Sequence, residues 1–171
     1  MGKKIIIFAI VIILVLIGIG VLYYYLNMEP KCENLGTLME QDGCFMQNAV
    51  KTSNVKLCDK IKNNLNVENC YRTIARNTKD NYICQALPLL EENGQSVKED
   101  CFIDVAVASK DITPCQGINP DKSGSLSRRD YCMVLVAVEK RDASICDIIE
   151  GKDYVPKADC IKRANAGSND I

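Results

Sequence analysis

Apolar and polar positions are arranged along this chain in two regimes. From Ile5 to Leu26 the sequence runs through 22 positions without a charge; beyond that, apolar residues recur at helical spacing among charged ones. A helix rising about 1.5 Å per residue carries the first stretch over roughly 33 Å, enough for a hydrocarbon core of about 30 Å. It has none of the polar face that a core helix of a globular domain keeps. Lys3 and Lys4 precede it and Tyr23, Tyr24 and Tyr25 sit near its far end, which matches the positive-inside rule and an interfacial aromatic belt. The pattern predicts a cytoplasmic N-terminus at 1–4, one transmembrane signal-anchor helix at 5–26 in contact with the lipid bilayer, and an extracytoplasmic domain over 27–171. Gly18-Ile19-Gly20 is a small-x-small triplet that signal peptidase could read, but cleavage there would leave the apolar stub VLYYYL as a mature start. A pilin-like segment would carry an early acidic residue, and this run has none.

In the second regime the apolar pattern keeps step with the cysteines, which stand at Cys32, Cys44, Cys58, Cys70, Cys84, Cys101, Cys115, Cys132, Cys146 and Cys160. From Cys44 onward every second gap is 14 residues, the mark of an internal repeat. One residue after alternate cysteines stands a large apolar side chain (Phe45, Tyr71, Phe102, Met133, Ile161), and five after the first four of these cysteines stands Ala49, Ala75, Ala106 or Ala137. Positions 0, +1, +4 and +5 share one face of a helix, with alanine letting a neighbouring helix approach. Ten residues on come Asn54, Asp80, Asp111, Asp142 and Asp170, residues suited to N-cap a second helix. In that second helix a cysteine and the aliphatic three residues later (Leu35, Ile61, Leu87, Ile118, Ile149) would share a face. Ser96 with Glu99 and Ser127 with Asp130 have capping-box-like spacing ahead of Cys101 and Cys132. Tyr131 to Val138 is an unbroken apolar run whose place in the repeat makes it helix rather than strand.

Ten cysteines admit several hundred pairings. Pairing across the constant gap strands Cys32 and Cys160, whereas pairing across the variable gap uses all ten: 32–44, 58–70, 84–101, 115–132 and 146–160. Heights agree with the second scheme. One partner would lie about 9 Å before its helix ends and the other roughly 6–8 Å into the next, level in an antiparallel pair. The expected fold class is therefore all-α: an N-terminal single transmembrane helix followed by an α-solenoid-like array of five disulfide-stapled helical hairpins, about 29–52, 53–78, 79–109, 110–140 and 141–171. The first hairpin lacks the cap residue, and the chain ends where a sixth would open. Each staple closes a loop worth about 3 kcal/mol in the chain-entropy treatment, which compensates for the thin core of short helices. An even cysteine count after an export segment fits an oxidising extracytoplasmic compartment.

Composition narrows the chemistry. The 171 residues contain no histidine and no tryptophan, which excludes Ser-His-Asp and Cys-His nucleophile pairs, HExxH sites and Cys₂His₂ fingers. With 21 basic against 22 acidic residues there is no basic face for nucleic acid. No CxxC or CxxxC occurs, so zinc, iron–sulfur and thiol-oxidoreductase sites lose their usual spacing, and no metal or cofactor is expected. Glu91, Glu92, Glu99, Asp100 and Asp104 form an acidic stretch without EF-hand spacing and read as a solvated face. Lys122, Arg128 and Arg129, beside the open loop 117–127, read as solubilising residues.

In design the chain resembles the cysteine-rich Sel1-type helical repeat proteins, whose helix pairs are also crosslinked. Their Gly, Leu and Tyr pattern is missing and the cysteine spacing differs, so the likeness implies architecture over 27–171 and no functional residue. A solenoid presents long surfaces rather than deep clefts. The expectation is thus a non-enzymatic module that binds an unidentified protein partner or scaffolds it. Its rivals are a structural cell-envelope protein without a specific ligand and a Cys-based metal-binding or redox protein.

Overall fold

The computed structural model describes residues 12–21, 32–88, 94–119, 128–149 and 157–167. These are helical with no strand among them. α1 covers residues 12–21, all exposed. The rest of the span expected at 5–26 lies outside the described residues, and among the described residues no helix is long and apolar enough to cross a membrane. There follow η1 (Cys32–Asn34), α2 (Leu38–Thr52), η2 (Val55–Lys60), α3 (Asn64–Thr78), α4 (Asn81–Ala86), α5 (Gly94–Ser109), η3 (Thr113–Gly117), α6 (Arg128–Lys140), η4 (Ala143–Ile148) and α7 (Lys157–Ala166). Short and long helices alternate, and disulfides join them into five pairs. Such a set belongs to an oxidising extracytoplasmic environment.

The turn that ends each long helix follows from its sequence. Ser53, Lys79, Lys110 and Arg141 stand at φ 54°, 57°, 56° and 55°, left-handed residues at one repeat position. The next residue donates its N–H back five positions: Asn54 to Ala49 O, Asp80 to Ala75 O and Asp142 to Ala137 O at 3.0 Å, and Asp111 to Ala106 O at 3.1 Å. This is the Schellman closure of a helix C-terminus. It ties the recurring alanine and the recurring Asn or Asp into a single motif. Each Asn or Asp then turns its side chain forward. Asn54, Asp80 and Asp142 N-cap the short helices by accepting the N–H of Lys56, Tyr82 and Ser144. Asp111 accepts that of Thr113, although Ile112 is the cap residue of η3.

The short helices correct the expectation of full hairpins. Three of the four after η1 are 3₁₀ segments of five or six residues, and their cysteines lie in the last turn rather than about 9 Å from the end. For η2 chain length explains this. α2 has 15 residues and is about 22 Å long at 1.5 Å each. The return to the start of α3 has only η2 and three further residues. At about 2.0 Å per 3₁₀ residue and 3.3 Å per extended residue, these also reach about 22 Å. An α-helical return of the same length would fall short. The aliphatic after each cysteine lies just past its short helix, and three of the five enter the core: Ile61, Leu87 and Ile118 are buried, while Ile149 is half-buried and Leu35 exposed.

The return brings the long helices round in parallel. Asp42, near the start of α2, accepts the N–H of Lys62 at 2.8 Å and of Asn63, the N-cap of α3, at 3.0 Å. At the other end, Lys110 after α5 donates to Glu139 O in the last turn of α6 at 3.2 Å. Long helices pack in the order α2, α3, α5, α6, α7; η2, α4, η3 and η4 each lodge against the long helices before and after them, and η1 lodges against α2. The core runs down this series through the cysteines, Ala49, Ala75, Ala106 and Ala137, and Ile74, Val105 and Val136. The run Tyr131 to Val138 is indeed helical and mostly buried.

Candidate functional site

The residues singled out by spacing, the cysteines, form Cys32–Cys44, Cys58–Cys70, Cys84–Cys101, Cys115–Cys132 and Cys146–Cys160, with Cα–Cα distances of 5.5 to 5.9 Å. None is a free thiol. With every sulfur in an S–S bond, a thiolate metal site would require reduction first.

Two further repeat positions on the long helices carry polar side chains, with exceptions in α3 and α7. Three positions before the second cysteine of a pair stands a donor to the pair's own short helix. Gln41 donates to Leu35 O at 2.9 Å, Lys98 to Gln85 O at 2.6 Å and Arg129 to Ile118 O at 3.0 Å, while Lys157 pairs with Asp147 at 2.7 Å. Val67 is the exception and is buried instead. Two positions before the cysteine stands a buried acid: Asp42, Glu68, Glu99 and Asp130 are the buried charged residues among the described ones, with Ala158 at this position in α7. The dipeptides Gln41-Asp42, Lys98-Glu99 and Arg129-Asp130 carried this signal in the sequence, where charge alone suggested solvation.

Three members of the acidic stretch, Glu99, Asp100 and Asp104, are held in ion pairs. Arg72 of α3 donates to Asp104 of α5 at 2.7 and 2.9 Å and lies 3.9 Å from Asp100. Arg128 of α6 pairs with Glu99 at 2.8 Å and with Asp100. Two arginines and three carboxylates thus link three successive long helices. Glu91, Glu92 and Lys122 lie outside the described residues. In the second pair, Tyr71 donates to Asp59 Oδ1 at 2.7 Å. Burial, that hydrogen bond and the carboxylate charge push its phenol up to about 12. Asp142 is held below the usual carboxylate range, chiefly by the hydrogen bond from Ser144.

The first module departs from the repeat at two positions beside its second cysteine. At the position of Ile74, Val105, Val136 and Ala164 it has Asn48, and immediately before its second cysteine it has Gly43 where the others have Asn69, Asp100, Tyr131 and Asp159. A concavity of about 490 Å³ lies here, lined by Leu35, Glu40, Gly43, Cys44, Gln47 and Asn48. Nothing approaches within 4 Å of where a Cβ on Gly43 would stand. Asn48 Nδ2 donates to Cys32 Sγ at 3.3 Å and Cys44 Sγ at 3.7 Å. Cys44 is half-buried, while the other nine cysteines are buried. Leu38 and Met39, on the first turn of the same helix α2, are 64% and 84% exposed. The face offers an apolar rim, amide donors and an accessible disulfide. No protein-family model, curated protein or solved structure matches this chain.

Proposed function

We propose that the protein is a membrane-anchored, extracytoplasmic α-solenoid acting as a non-catalytic protein-binding or scaffolding module, held to the bilayer through 5–26 with residues 1–4 in the cytoplasm. The open face of the first module carries this reading. Leu35 lines its concavity, and Leu38 and Met39 on the first turn of the same module's long helix are large, apolar and exposed. Only Asn27 to Lys31 separate the apolar run from Cys32, so the face would stand within about 18 Å of the anchor. A partner reaching it would be a membrane protein or one that works at the membrane surface.

A second reading, a structural envelope protein without a specific ligand, draws on the even spread of five staples along the chain. A photo-crosslinking residue at Met39 of the full chain in intact cells separates the two. The binding reading expects one discrete adduct that Leu38→Asp abolishes without lowering the melting temperature, because an acid at the first helical position suits the N-terminal dipole. A spread of adducts indifferent to Leu38→Asp would leave the envelope reading in its place.

A further inference from the structure

We propose that Cys32–Cys44 is a thiol-exchange site, the one staple of the five built to open and capture a thiol-bearing ligand. The proposal does not depend on what docks at the apolar rim. Disulfide exchange needs access to one sulfur and stabilisation of the thiolate that leaves. Both are present at this pair. Cys44 is the cysteine of the ten outside the buried core and lines the concavity. Gly43 leaves open the space that a side chain would fill. Asn48, where other long helices have Ile74, Val105, Val136 or Ala164, places an amide donor 3.3 Å from Cys32 Sγ. Among the described residues no other disulfide sulfur accepts a hydrogen bond from a side chain.

The step follows from these positions. An incoming thiolate attacks Cys44 Sγ, the Cys32–Cys44 S–S bond breaks, and Cys32 leaves as a thiolate held by the Asn48 N–H. One S–S bond forms as one breaks, and the negative charge moves from the attacking sulfur to Cys32. The reverse attack by Cys32 on Cys44 expels the thiol and restores the staple. Glu40, which lines the same concavity, favours thiols that are neutral or cationic. Opening this pair frees a loop of 12 residues at the end of the series and breaks no link between later helices.

The probe is cysteamine, whose ammonium suits Glu40, applied at rising concentration to the full chain in detergent micelles, followed by acid quench, alkylation and peptide mass spectrometry. The expected first product carries cysteamine on Cys44 and an alkylated Cys32, with the other eight cysteines still paired. Asn48→Ala widens access yet removes the donor, and is expected to slow this exchange about tenfold. Gly43→Tyr, which introduces the residue found at Tyr131, is expected to slow it by cover alone. The proposal is overturned if another disulfide opens first or all five open together. An Asn48→Ala rate equal to or above that of the parent chain, or a Gly43→Tyr rate unchanged from it, overturns it equally.

Discussion

At Ser53, Lys79, Lys110 and Arg141 the backbone takes a left-handed conformation that glycine adopts freely and other residues do not. Three of the four are cationic, and two use their length. Lys110 reaches the Glu139 carbonyl in the last turn of α6, and Arg141 packs so closely on Gly167, at the end of α7, that a Cβ there would meet its Nε at 2.7 Å. A cation at a helix C-terminus is favourable, which offsets part of the conformational cost. Lys79 is exposed, with no hydrogen bond or ion pair from its side chain. Lys79→Gly is therefore expected to stabilise the protein by about 1 kcal/mol, read as a higher denaturant midpoint at unchanged slope. Tyr71 supplies a pH dependence. Its phenol is raised from 10.0 to about 12, so the folded state favours the protonated form. The stability it contributes is complete below pH 10 and is lost as the pH rises through 12. In a 295 nm titration, Tyr71→Phe should remove a component that ionises near 12, and a component removed near 10 would contradict the burial and Asp59 contact.

Each element is held by residues whose role depends on what they touch. Asp42 is 3% exposed and accepts two backbone N–H groups across the first junction between long helices. Asp42→Ala leaves both donors without their acceptor in a part-buried junction. It should cost about 3 kcal/mol in chemical denaturation, and a cost near zero would mean that water replaces the carboxylate. The sequence made one half of this architecture legible. Cysteine parity, the alanine at +5 and the Asn or Asp at +10 recur because they are steric and conformational requirements of each turn, and such requirements appear as residue identity at fixed spacing. The other half depends on depth. Glu99 and Asp104 look like solvated acids until α3 and α6 supply Arg72 and Arg128. Ser96 looks like a cap, but α5 begins at Gly94 and takes it into the first turn. The candidate face was hidden for the same reason: Gly43 and Asn48 are ordinary residues, and only their departure from the repeat, joined to the burial of the other cysteines, singles them out.

For the molecule as a whole, the serial packing makes stability local. Each long helix packs on the one before and the one after, and each disulfide spans 12 to 17 residues within one pair. Among the described residues, the main packing between the first pair and the last runs through the helices between them. In such a series, stability is a sum of module and neighbour-interface contributions rather than one cooperative quantity. The ion pairs among α3, α5 and α6 do not change this, because these also join only neighbours. Removing a central staple tests the idea. Replacing Cys84 and Cys101 together by alanine should cost about 3 kcal/mol, equivalent to a roughly 100-fold loss of hydrogen-exchange protection where it is felt. That loss is expected in α4 and α5, to fade through their neighbours α3 and α6, and to leave α7 close to its parent protection. An equal loss in α7 would instead make the array a single cooperative unit. It would then tie the opening of Cys32–Cys44 to unfolding of the whole chain rather than to one end of it.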